Sequence, residues 1–113
     1  MRILIVEDEF LIALGATDTL EEAGCEIVAI AASVPAALKV IAEISFEVAL
    51  VDANLGGQSA HPVAVALIQK DIPFVVMTGY GATQREGALA NAPFLPKPYV
   101  ESALVNAIYK LCK

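Results

Sequence analysis

The sequence predicts an α/β fold: a parallel sheet with helices packed on both faces. Strand-like and helix-like stretches alternate from one end to the other, the pattern that builds parallel sheets. The strand-like stretches are short unbroken apolar runs, Ile3-Leu4-Ile5-Val6, Val48-Ala49-Leu50-Val51 and Phe74-Val75-Val76-Met77. Together with a composition rich in Ala, Val, Leu and Ile, they suit a sheet covered on both sides. At 113 residues the chain has room for one domain and one core.

Each element has its own justification. Residues 2–6 are the first strand. Residues 9–23 form a helix with Leu11, Leu14 and Leu20 at helical spacing, stopped by Gly24 as a C-terminal cap. A second strand runs from Glu26 to Ala32. Ser33 is a good N-cap, and Pro35 is tolerated in the first turn of a helix reaching Ile44. The third strand, 47–51, ends at Asp52. Gly56-Gly57-Gln58-Ser59 make a turn-rich loop before a short helix from Pro62 to Lys70.

The fourth strand, 73–77, runs into Thr78-Gly79-Tyr80-Gly81. A short helix is predicted near 83–91. Gly87 in its interior costs about 1 kcal/mol against Ala, so this is the expected mobile segment. The fifth strand is brief, and Pro96 cannot donate to a ladder, which makes it an edge. A final helix, 99–111, places Leu104, Ile108 and Leu111 on one face. There is no internal repeat, low-complexity tract or linker.

Bulk properties exclude several function classes. The formal charge of −6 disfavours nucleic acid, whose phosphates call for clustered Lys and Arg. No apolar run approaches the length that spans a bilayer, and the N-terminus enters a strand pattern at once, without a signal peptide. Cys25 and Cys112 lie in no CxxC or metal-type spacing and read as reduced packing residues of a cytoplasmic protein.

The chemistry lies just past the strands. Glu7-Asp8 follow the first, Asp52 the third and Thr78 the fourth, and Lys97-Pro98 come shortly after Phe94-Leu95. Ligands of parallel α/β sheets bind beyond the carboxyl ends of the strands, so all four pieces are expected to converge there. Three carboxylates, a hydroxyl and an amine suit a divalent metal and a phosphoryl group. Asp52 has no helix directly after it to cap, and as a nucleophile toward phosphorus it would form an acyl phosphate. A carboxylate is a weak nucleophile, so in-line positioning and charge neutralisation must assist it.

Glu7 and Asp8 beside Asp52 would repel, at a cost on the order of 4 kcal/mol for like charges about 4 Å apart at an effective dielectric of 20. Mg²⁺ resolves this by taking carboxylates, waters and a phosphoryl oxygen, with the carbonyl of Asn54 as a further ligand. The Lys97 ammonium is expected to pair with Asp52 and then with phosphoryl oxygens. A cis Lys97-Pro98 bond would aim it. The Thr78 hydroxyl would bond a phosphoryl oxygen, Gly79 would leave that group room, and Tyr80 at the mouth could restrict water. His61, the sole histidine, reads as surface. No GxGxxG or Walker A sequence supports nucleotide binding.

In this order, strand-Glu-Asp, strand-Asp, strand-Thr and strand-Lys-Pro, the chain resembles the receiver domain of two-component response regulators over essentially its whole length, 1–113. The resemblance implies a flavodoxin-like (βα)5 three-layer sandwich, sheet order 2-1-3-4-5, with five helices. It implies Mg²⁺ held by Glu7, Asp8, Asp52 and the Asn54 carbonyl. It further implies that Asp52 accepts a phosphoryl group from a histidine kinase or phosphotransfer protein, that Lys97 contacts it, and that Thr78 and Phe94 form the switch. Phe94 stands where receivers carry a switch aromatic and lacks the hydroxyl of a tyrosine. The stretches from Asp52 to Thr78 and from Thr78 to Lys97 are short for the family. Pro73-Phe74 with Thr78-Gly79-Tyr80-Gly81 resembles a subgroup of single-domain alphaproteobacterial receivers. Two alternatives stay open: a pseudo-receiver used only for docking, and a small Mg²⁺-dependent phosphohydrolase. Haloacid-dehalogenase-type hydrolases need a second Asp where Asn54 stands.

Overall fold

The computed structural model describes residues 1–79, 87–90 and 92–111. Five strands form one parallel sheet: β1 (Arg2–Val6), β2 (Glu26–Ala31), β3 (Val48–Asp52), β4 (Phe74–Thr78) and β5 (Phe94–Pro96), in the order β2-β1-β3-β4-β5. Among the described residues, four α-helices cover it: α1 (Phe10–Glu22), α2 (Val34–Glu43), α3 (His61–Gln69) and α4 (Glu101–Lys110). The sheet order and the three layers are those expected.

Successive strand residues feed opposite cores, which is why the strands read as unbroken apolar runs. Leu4, Val6, Ala49, Val51 and Val76 pack with α2 and α3. Ile3, Ile5, Leu50, Val75 and Met77 pack with α1 and α4. Every residue of β3 and β4 is buried.

Local signals set the helix ends. The Ser33 hydroxyl accepts from the Ala36 N–H at 3.2 Å, starting α2. Gly24, at φ +93°, lets α1 close in a Schellman turn, with Gly24 N–H donating to the Glu21 carbonyl and Cys25 N–H to the Leu20 carbonyl.

Three expectations are corrected. In α1 the buried face is Ala13, Ala16 and Leu20, whereas Leu11 is 80% exposed and Leu14 is exposed as well. The two alanines let the helix lie close to the sheet and to α4, so its large aliphatics turn outward. The Gly56-Gly57 loop is a turn between two short antiparallel strands, Asn54–Leu55 and Gln58–Ser59. The resemblance implies five helices; between β4 and β5 the described residues hold only a 3₁₀ turn, Gly87–Leu89. Most of the helix predicted at 83–91, with its expected mobility, lies outside the described residues, as do Tyr80 and Cys112.

Candidate active site at the carboxyl ends of the strands

Register brings the predicted residues to one level. Asp52, last in β3, pairs with Met77 of β4, and Thr78 beside it pairs with Pro96 of β5. Val6 pairs with Val51, so Glu7 continues β1 level with Asp52, its N–H donating to the Ala31 carbonyl at 2.9 Å. Lys97 N–H donates to the Thr78 carbonyl at 2.7 Å, and the Lys97-Pro98 peptide is cis.

The three acids gather as expected. One oxygen from each of Glu7, Asp8 and Asp52 can be chosen so that all lie within 4.8 Å of one another. Glu7 and Asp52 are 1% and 4% exposed, while Asp8 faces solvent. The backbone orients each of them. Glu9 N–H donates to Glu7 Oε2 at 3.1 Å, and Asn54 N–H to Asp52 Oδ1 at 3.1 Å. Gly56 N–H donates to Asp8 Oδ2 at 3.0 Å. The Asn54 side chain accepts from Gly57 N–H at 2.7 Å and so shapes the turn that presents Gly56.

The Lys97 ammonium sits between the two buried acids, 2.8 Å from Glu7 Oε1 and 2.9 Å from Asp52 Oδ2, with Glu9 Oε1 at 3.9 Å. Burial, reinforced by the adjacent Asp52 carboxyl, pushes Glu7 up to about 7 despite the opposing pull of Lys97. Burial would pull Lys97 down, but its hydrogen bonds to Glu7 and Asp52 outweigh that and hold it above the ordinary lysine value. Tyr99, half-buried nearby, is raised by burial and by the Glu7 charge.

The donor set fits a hard divalent cation. All-oxygen carboxylate ligands suit Mg²⁺ or Ca²⁺, and a bound cation would offset the cost of burying an ionised Glu7 beside Asp52. Thr78 is 1% exposed at the end of β4. Phe94 is on the edge strand and 47% exposed.

Sequence reasoning missed the parts played by four residues. Gly56 and Gly57 were legible as a turn, but their N–H bonds to Asp8 and Asn54 depend on where that turn lands. Glu9 was read only as a helix start. His61 begins α3 instead of lying in a loop, and its Nδ1 accepts from Ala88 N–H at 2.9 Å, tying α3 to the 3₁₀ turn. No local signal in the sequence marks that contact.

Comparison with known proteins gives a consistent picture. Residues 3–109 match a family model described as the response regulator receiver domain. The response regulator protein FleR of Pseudomonas aeruginosa is 34% identical over 116 aligned residues, covering 95% of this chain and 24% of that protein. The chain therefore spans about a quarter of the length of that curated relative. Among solved structures, SdrG from Sphingomonas melonis Fr1 superposes with a TM-score of 0.87 at 36% identity, covering 100% of this chain and 97% of that one. The BeF3-activated conformation of SdrG gives 0.84 at 35% identity, covering 99% and 96%. The receiver domain of Erythrobacter litoralis PhyR gives 0.85 at 28% identity, covering 98% and 88%.

Proposed function

This chain belongs to the response regulator receiver domain family, whose members serve two-component signalling, and on that premise we propose that Asp52 is its phosphoacceptor. A histidine kinase or phosphotransfer protein is the donor, Mg²⁺ the cofactor, and residues 1–113 a single receiver domain working in the cytoplasm. The observation that carries this reading is Lys97, whose ammonium bridges Glu7 and Asp52 at 2.8 and 2.9 Å on the edge of a three-carboxylate cluster.

An Asp52 carboxylate oxygen bonds to phosphorus as the P–N bond of a phosphohistidine breaks, and the imidazole keeps the electron pair. Glu7, Asp8 and Asp52, with the Asn54 carbonyl, would hold Mg²⁺, which would neutralise phosphoryl charge there. Lys97 leaves its carboxylate partners for a phosphoryl oxygen. The Thr78 hydroxyl donates to another, and Phe94 moves from its half-exposed position into the body of the domain. The output is a reshaped interaction surface, and the chain is a phosphoacceptor that assists its own chemistry. Neither nucleic acid nor a membrane takes part directly.

Intact mass after incubation with Mg²⁺ and acetyl phosphate tests this. One phosphoryl group should be gained, and none by Asp52→Ala or without Mg²⁺. Absence of any gain would leave a docking module or a receiver that accepts only its own kinase's phosphohistidine, which a Mg²⁺-binding titration would then separate. For the switch, adding beryllofluoride with Mg²⁺ should move amide resonances of residues 87–97; unchanged spectra there would reject it.

A further inference from the structure

The backbone of Glu9 holds Glu7 and starts α1, but its side chain has no capping task. It is the N-cap of α1, yet its side chain makes no capping hydrogen bond; only its backbone carbonyl serves the helix, accepting from Ala13 N–H at 3.0 Å. Ser, Thr, Asp or Asn would cap better. Negative charge suits the helix dipole at that position, but the dipole does not require a side chain that reaches across the cleft. The Glu9 carboxylate does reach: it is 64% exposed and 3.9 Å from Lys97 Nζ. It lines an open cleft of about 290 Å³ together with Asp8, Asp52, Asn54 and Lys97.

The charge balance at this mouth gives Glu9 its meaning. Glu7, Asp8 and Asp52 carry three negative charges when ionised. Among the described residues, a divalent cation and the Lys97 ammonium match those three, so the cluster is neutral without Glu9. With Glu9 it is negative by one, at the opening through which an anionic donor must come. We infer that Glu9 sets donor selectivity: it disfavours small anionic phosphoryl donors relative to donors carrying compensating positive charge at this opening, as a protein surface bearing Lys or Arg would. This rests on the phosphoacceptor reading of Asp52.

The reaction to follow is simple. With acetyl phosphate, a dianion near neutral pH, an Asp52 oxygen bonds to phosphorus, the bridging P–O bond breaks, and acetate leaves with the electron pair. With phosphoramidate, a monoanion, the P–N bond breaks and ammonia leaves. One full charge a few ångströms from the incoming phosphoryl group, in largely aqueous surroundings, corresponds to about a three- to tenfold change in rate for a dianion.

The experiment measures phosphorylation rates of the chain, Glu9→Asp, Glu9→Gln and Glu9→Lys with both donors, at saturating Mg²⁺, in low salt and in molar KCl. In low salt Glu9→Gln should react about threefold faster with acetyl phosphate, Glu9→Lys faster still, and Glu9→Asp at the parent rate. The gain with phosphoramidate should be smaller. Molar salt, with a Debye length of about 3 Å, should remove most of the difference. Parent-like rates for Glu9→Gln and Glu9→Lys, or gains equal for both donors and insensitive to salt, would overturn the inference while leaving Asp52 as acceptor. If the parent chain, Glu9→Gln and Glu9→Lys all label with neither donor, the acceptor reading itself is overturned, and this inference with it.

Discussion

Glu7 is the residue on which most of the site's physics converges. Its carboxyl is buried, shares Lys97 with Asp52, and sits at about 7 instead of the ordinary 4.5. The folded state therefore holds a proton there that the unfolded chain has already lost across that interval. Its stabilising contribution is full below pH 4.5 and is lost as pH rises through 7. Denaturant midpoints of the metal-free protein should fall between those limits, and Glu7→Gln should flatten that part of the profile. Lys97, raised further above an already basic value, stays charged throughout and adds no slope there. Divalent cations compete with the Glu7 proton, so their affinity should climb over the same interval, which calorimetric titration at three pH values would read. The residues themselves were legible, because Asp52, Thr78 and Lys97 each close or follow a short apolar strand. The raised Glu7 was not, since it depends on depth beneath the surface and on which acid the lysine meets.

Among the elements, α2 and the 3₁₀ turn make contrasting cases. Ser33 caps α2 through one hydrogen bond to Ala36 N–H. Ser33→Ala should cost about 1 kcal/mol in denaturant unfolding and leave Mg²⁺ binding intact. The cap was readable because Ser-Val-Pro is a local signal. The turn at Gly87–Leu89 was not. Gly87 stands at φ +56°, and a Cβ there would fall against the His61 imidazole, a neighbour 26 positions away in sequence. Gly87→Ala should destabilise by about 1–2 kcal/mol from the backbone conformation alone and break the His61–Ala88 hydrogen bond. The His61 ring shifts in NMR spectra would report that break. Helix α1 was recognised as an element but given the wrong face, because periodicity favours large aliphatics and cannot see that Ala13 and Ala16 permit the closer approach.

For the molecule as a whole, binding at one end should be felt throughout. The carboxylate cluster sits on β1 and β3, which are central in the sheet. A cation bound only by the folded state stabilises it by about 3 kcal/mol at a hundredfold excess over its dissociation constant. Melting temperature should therefore rise with Mg²⁺ and return with EDTA, and Asp8→Asn should blunt the response without lowering metal-free stability much, since Asp8 is exposed. The sheet also has two unlike borders. On β5, Lys97 N–H points inward to Thr78, so by alternation the nitrogen of Pro96 points outward, and it carries no hydrogen. On β2, Glu26–Ala31 pairs only with β1 among the described residues, and that ladder is interrupted by a register shift opposite Ile3 and Leu4. Of the two, the β5 border therefore offers an added strand one donor fewer. Two copies joining edge to edge through β2 would leave outward only the borders that carry the proline, so such association would favour stopping at a pair over propagating into a fibre.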